Sequence, residues 1–85
     1  MHTEHVPRWS GKRLLTPREA VEYLRERHGV GRTVSTLAKL RCVGGGPEFH
    51  RVGDKYVAYH PDALDPWAAE LIGPALRSNS DPRAA

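Results

Sequence analysis

Five residues near the middle of the chain, Val43-Gly44-Gly45-Gly46-Pro47, constrain its fold more than any other stretch. Three consecutive glycines lose the most backbone freedom on ordering, and the proline after them has no N–H to donate. Neither a helix nor a strand passes through such a run. The break divides the chain into a part with helical spacing and helix-start chemistry and a part that opens on β-prone residues.

Ahead of the break, Leu14-Leu15-Thr16-Pro17-Arg18-Glu19-Ala20 carries a complete helix start. Thr16 can accept a backbone N–H of the first turn. Pro17 occupies the first helical position, where its missing N–H costs nothing. Glu19, three residues after Thr16, completes a capping box, and Leu15 can fold back as a staple. The spacing predicts a helix from Pro17 to about His28, with Ala20, Val21 and Leu24 as the apolar stripe and Tyr23 beside it. Glu22, Arg25 and Glu26 take the wet side, and Gly29 stops the helix. After a short link, Gly29-Val30-Gly31-Arg32, Thr33 caps a second helix over about Val34 to Cys42. Leu37, Leu40 and Val34 are expected to face inward, leaving Ser35, Thr36, Lys39 and Arg41 on the other faces. Cys42, near the helix end, reads as a small buried hydrophobe. Two short helices joined by a tight, glycine-containing turn are the helix-turn-helix pattern.

Beyond the break, Phe49-His50-Arg51-Val52 and Lys55-Tyr56-Val57-Ala58-Tyr59 flank Gly53-Asp54. Two β-rich runs around a two-residue Gly-Asp turn predict a hairpin, with Phe49, Val57 and Tyr59 inward. Pro61 and Pro66 can each open a helix, after His60 or Asp65. A proline deep inside a helix is costly, so the expectation is a turn over 61–65 and a helix from about Pro66 to Ile72. Leu64, Trp67 and Leu71 would pack inward, and Gly73-Pro74 would end the element. The order is helix, helix, hairpin, helix: an α+β domain over residues 14–72, in which the hairpin stands where a winged helix-turn-helix has its wing. Residues 1–13 read as a flexible basic arm containing Arg8, Lys12 and Arg13, and residues 73–85 as a disordered tail.

The chain's 85 residues allow one small domain of modest stability. Its formal charge of +3 is unevenly spread: residues 1–55 hold 11 Lys/Arg against 6 Asp/Glu, and residues 56–85 hold 2 against 4. Clustered positive charge attracts a phosphate backbone. The five histidines, His2, His5, His28, His50 and His60, lack metal-ligand spacing with one another or with Cys42, the single cysteine. No Ser-His-Asp order appears, and the glycine run lacks the Lys-Ser/Thr of a phosphate loop. No enzymatic activity, cofactor, metal or small-molecule ligand is expected. A lone cysteine suits a reducing cytosol. The polar N-terminus has no secretory core, and no apolar run is long enough to span a membrane. The expected location is therefore the cytoplasm, in association with the nucleoid.

Four segments together carry a family resemblance: Leu15-Thr16-Pro17-Arg18-Glu19-Ala20; Ser35-Thr36-Leu37-Ala38-Lys39-Leu40-Arg41; Gly45-Gly46-Pro47 with Phe49, Val52-Gly53, Val57 and Tyr59; and Leu64-Asp65-Pro66-Trp67. In this order and spacing they resemble the excisionase and AlpA-type winged helix-turn-helix family, related to the MerR DNA-binding domain. The resemblance covers about residues 14–72. The glycine-rich link at 29–32 is slightly long for that pattern, and Pro66 stands where a small residue is usual before Trp67. The resemblance implies a DNA-binding protein of a mobile element. Some members are recombination directionality factors, which bind and bend DNA beside attachment sites so that an integrase, a tyrosine or serine recombinase, excises the element. Others regulate transcription at a promoter.

On that reading the second helix lies in the major groove of double-stranded DNA. Ser35, Thr36 and Lys39 reach base edges or phosphates, and Arg32 and Arg41 meet the backbone. The wing supplies Arg51 and Lys55. Arg13 of the arm, with Thr16 and Arg18 and the backbone N–H groups at the start of the first helix, meets further phosphates. One such module reads few bases and binds weakly, so several copies are needed, either as a dimer or as a head-to-tail row on repeated sites. The resemblance to excisionases implies the cooperative head-to-tail homo-oligomer. No heptad helix supports a MerR-style coiled-coil dimer. The short tail leaves no room for an effector domain and favours the architectural role over ligand sensing. The competing class is a protein-interaction adaptor anchored by Trp9 or Trp67.

Overall fold

The computed structural model describes residues 13–77; residues 1–12 of the arm expected over 1–13, and residues 78–85 of the tail expected over 73–85, lie outside the described residues. The architecture is α+β, with three helices and one two-stranded antiparallel hairpin. Its elements are α1 (Pro17–His28), α2 (Val34–Val43), β1 (His50–Val52), β2 (Tyr56–Ala58) and α3 (Pro61–Ile72).

The first two helices form where their local chemistry puts them. In α1 the Thr16 backbone N–H donates to Glu19 Oε1 at 2.8 Å, and the Glu19 N–H donates to Thr16 Oγ1 at 3.1 Å. This capping box satisfies two groups that a helix start leaves unpaired. At the other end Gly29, at φ 68°, takes the left-handed conformation that glycine adopts without penalty. Its N–H donates to the Arg25 carbonyl, and the Val30 N–H donates to the Leu24 carbonyl, drawing Val30 into the core. In α2, Thr33 Oγ1 accepts from the Thr36 N–H at 3.1 Å.

Helix α3 departs from expectation. It begins at Pro61, and Pro66 sits inside it. Pro66 deprives the Asp62 carbonyl of its usual donor, a cost confined to one bond near the helix start. Three things outweigh that cost. His60 caps the helix, its Nδ1 accepting from the Asp62 N–H at 3.0 Å. Leu64 and Ala68, one turn apart, are fully buried. Asp65 binds two side chains of α1. Pro66 itself is exposed.

The core gathers Leu15, Ala20, Tyr23, Leu24, Leu37, Tyr59, Leu64 and Ala68, with Val21, Phe49 and Trp67 packed around it. Leu15 also forms an isolated antiparallel bridge with Tyr59: each residue's N–H donates to the other's carbonyl, at 2.7 and 2.8 Å. Leu71 and Val34, both expected inside, are not. Leu71 is 43% exposed, because the buried stripe of α3 ends at Ala68 and every described residue after it is exposed. Val34 is 41% exposed, because α2 packs through Leu37 and its first turn overhangs the body.

Helices α1 and α3 are joined by a polar clamp. Tyr23 Oη donates to Asp65 Oδ1 at 2.7 Å, and His28 Nε2 donates to the same oxygen at 2.8 Å. Burial, reinforced by the hydrogen bond to Asp65, pushes the Tyr23 hydroxyl up to about 12. Burial by itself would raise the Asp65 carboxyl. The hydrogen bonds from Tyr23 and His28 and the nearby charges of His28 and Arg27 outweigh it and hold the carboxyl below its ordinary value.

The glycine run is held at its last two residues. A Cβ on Gly46 would lie 2.8 Å from Leu40 Cβ, so only glycine fits where the loop crosses α2. Trp67 Nε1 donates to the Gly45 carbonyl at 2.9 Å, tying the loop to α3. The hairpin then pairs His50 with Ala58, Arg51 with Val57 and Val52 with Tyr56. Its loop therefore has three residues, Gly53-Asp54-Lys55, and not the expected two. Gly53, at φ 72°, makes the reversal, and Lys55 belongs to the tip and not to β2. Of the three strand residues expected inward, Tyr59 is fully buried, while Phe49 and Val57 are half-buried.

Candidate nucleic-acid interface

Helix α2 buries one side chain completely, Leu37, with Leu40 and Arg41 half-buried beside it. Ser35, Ala38, Lys39 and Cys42 are all exposed. Their spacing of three, four and seven residues places them along one face of a helix. The face is made of small side chains with one cation, so the helix backbone can come close to whatever it meets. Cys42, expected to be buried, belongs to this stripe. It lies five residues beyond Leu37, half a turn out of phase with the buried side, and phase overrides the average tendency of cysteine to be internal.

The remaining residues expected on α2 divide into two kinds. Thr36 is half-buried, and its hydroxyl lies 3.0 Å from Thr33 Oγ1, within the cap. Arg32, ahead of the helix, is half-buried, and its Nη1 donates to the Gly31 carbonyl at 2.8 Å. Arg41 points back toward the body. Its Nη1 donates to Tyr59 Oη at 2.7 Å, and its guanidinium carbon lies 5.9 Å from the ring centres of both Phe49 and Tyr59.

The hairpin stands off the body. All three residues of β1 are exposed, and Arg51 and Lys55 both reach solvent. The cross-strand pair Val52 and Tyr56 is exposed too, Tyr56 by 70%. An aromatic ring this open on a hairpin was not singled out from the sequence. Period-2 alternation marks Tyr56 as facing away from Val57, but only the packed structure shows that neither face of the hairpin tip is covered.

A cleft of about 500 Å³ brings some of the expected residues together. Thr16 and Pro17 at the start of α1, Arg41 of α2, and Lys55 and Tyr56 of the hairpin line it. A second cleft, about 420 Å³, runs between α2 and the start of β1 and is bordered by Arg41, the three glycines and His50. Arg41 is thus common to both. Arg13 and Arg18 are exposed near the start of α1 and line neither cleft. What the arrangement offers chemically is a set of cations and hydroxyls on protruding elements, suited to anionic partners. No helix among the described residues is long and apolar enough to cross a membrane.

No protein-family model matches this chain, and no curated protein matches it.

Proposed function

We propose that the protein is a non-enzymatic, sequence-specific DNA-binding protein of the winged helix-turn-helix kind, with α2 as the reading helix and the β1–β2 hairpin as the wing. The observation that carries this reading is the exposed stripe Ser35, Ala38, Lys39 and Cys42 on α2, in a domain whose hairpin projects Arg51 and Lys55. A major groove admits one helix, and a stripe of small residues lets that helix sit deep enough for Ser35 and Lys39 to meet base edges. Arg32 and Arg41 are assigned to phosphates, as are Arg13, Thr16 and Arg18 around the start of α1. Arg51 and Lys55 follow the adjacent backbone or minor groove. Thr36 serves the Thr33 cap and sits at the rim of the contact.

Within that class we assign the protein to the excisionase side of the family it resembles. It would act in the cytoplasm, on the nucleoid, as a recombination directionality factor that bends DNA beside attachment sites, with an integrase as partner and several copies in a head-to-tail row. Transcriptional regulation of the AlpA type uses the same contacts at a promoter. A gel-shift and footprint titration on attachment-region and upstream DNA tests both. A stepwise ladder over repeated sites supports the excision role, and a footprint at a promoter alone supports regulation. A single module-length footprint that does not grow with protein concentration removes the head-to-tail row. No shift on any DNA at low salt overturns DNA binding and leaves a protein partner in its place.

A further inference from the structure

Tyr59 is the largest fully buried side chain among the described residues. Its backbone is fixed on both sides, since its N–H and carbonyl pair with Leu15. Its ring packs against Phe49 with centres 6.4 Å apart. A buried phenol needs a partner for its oxygen, and here that partner is Arg41 Nη1 at 2.7 Å. A fully buried core residue, paired through its backbone, therefore holds the tip of the longest side chain on α2.

A guanidinium has five N–H donors in a planar fork, and one of Arg41's goes to Tyr59. Among the described residues no carboxylate neutralises it. The two aromatic rings at 5.9 Å hold its plane, and it borders the cleft on either side. An arginine on a surface helix ordinarily samples many rotamers, and ordering it opposes binding. Here the ordering is done in the free protein. The remaining donors form a fixed fork at the junction of α2 and the hairpin, the geometry that suits a phosphate.

We propose that Tyr59 is a positioning residue for DNA binding: its buried hydroxyl sets the Arg41 guanidinium to meet one backbone phosphate between α2 and the hairpin. This rests on the DNA-binding reading above. Tyr59 itself touches no DNA.

The test is a titration of a labelled mixed-sequence duplex with wild-type protein, Tyr59→Phe, Arg41→Met, Arg41→Lys and the Tyr59→Phe/Arg41→Met double variant, each over a range of salt. Tyr59→Phe keeps the ring and the core volume and removes only the hydroxyl. It is expected to weaken binding about three- to tenfold, the scale of one hydrogen bond, with the salt dependence kept. Arg41→Met is expected to weaken binding and to lower the slope of log K against log salt by about 0.9, one phosphate. The double variant should bind no more weakly than Arg41→Met alone. Arg41→Lys should keep the charge and the slope but bind more weakly than wild type, because an ammonium lacks the planar fork. A merely structural tie would lower the melting temperature in Tyr59→Phe and leave the coupling in binding at zero. If wild type binds and Tyr59→Phe binds equally well, or if Arg41→Met retains the full salt slope, the inference is overturned and the DNA-binding reading stands. If wild type does not bind at low salt, both fall.

Discussion

Both α1 and α2 start on a threonine cap, yet α1 buries Glu19, Ala20, Tyr23 and Leu24 while α2 buries only Leu37. Helix α1 is also fastened by polar bonds, through Tyr23 and His28 to Asp65 of α3. Helix α2 has one apolar anchor and, through Arg41, one hydrogen bond to the far side of the hairpin. A helix that buries a continuous face of four residues contributes to the core and has less surface left to offer. One held by a single buried leucine keeps most of its circumference for something outside the molecule. The difference does not come from the threonine cap, which the two share. It comes from how many of each helix's positions find an apolar neighbour.

The sharpest way to break the comparison is to remove the anchor. Leu37→Ala should cost about 2–5 kcal/mol, a large part of the ~5–15 kcal/mol that holds a small domain together. Denaturant unfolding reads this directly, and a loss well under 1 kcal/mol would mean that α2 has support beyond Leu37. Next in size is the opposite face of the same helix. Lys39→Ala should leave unfolding within about 0.5 kcal/mol of wild type and weaken DNA binding by about 1–3 kcal/mol. A lowered melting temperature with unchanged binding would reverse the roles given to the two faces.

On the fastened side, Tyr23→Phe should lower stability at neutral pH by about 1 kcal/mol and leave DNA affinity unchanged. It should also change the alkaline limb. The folded hydroxyl is pushed up to about 12 from its ordinary 10.0, so its contribution is complete below that ordinary value and is lost as pH rises toward about 12. Wild type should therefore weaken over that window relative to Tyr23→Phe. At the acid end the sign is opposite. Asp65 is held below its ordinary 3.8, so its contribution is present above that value and disappears as pH falls through the lower folded value. Stability curves against pH for the two proteins check both limbs. The smallest effect concerns Cys42, the chain's only thiol. Bound DNA should slow its alkylation if the exposed stripe faces the groove, and an unchanged rate would turn that stripe away from the DNA.

Much of this scaffold is legible in the sequence because its signals are short-range. Thr16 with Glu19, Thr33 with Thr36, and Gly29 after His28 all act within a turn of themselves, and α1 and α2 lie where those residues place them. The third helix was less legible. Pro66 reads locally as a helix start, while the bonds that support the helix beside it reach Asp65 from Tyr23 and His28, 42 and 37 residues from Asp65 in the chain. The same holds for Arg41. Its position on α2 marks it as a surface cation, and only the fold brings Tyr59, 18 residues on, to its tip. Leu71 and Val34 show a third kind of difference: hydrophobic periodicity continues to the ends of a helix, whereas the body that could cover it does not. The hairpin's position follows from its residue types, but its three-residue loop is a matter of register, which Gly53-Asp54 alone does not fix.

The bridge between Leu15 and Tyr59 also settles where cargo can be attached. It fastens the segment entering α1 directly against the end of β2, so whatever is fused ahead of Leu14 emerges beside the hairpin and the cleft lined by Lys55 and Arg41. The other exit lies at the end of α3, whose 12 residues carry the chain about 18 Å along the helix axis from its start at Pro61. A fluorescent reporter or affinity handle placed in front would crowd the surface proposed to receive DNA, whereas one placed behind Ile72 would trail from a helix end whose residues after Ala68 are exposed.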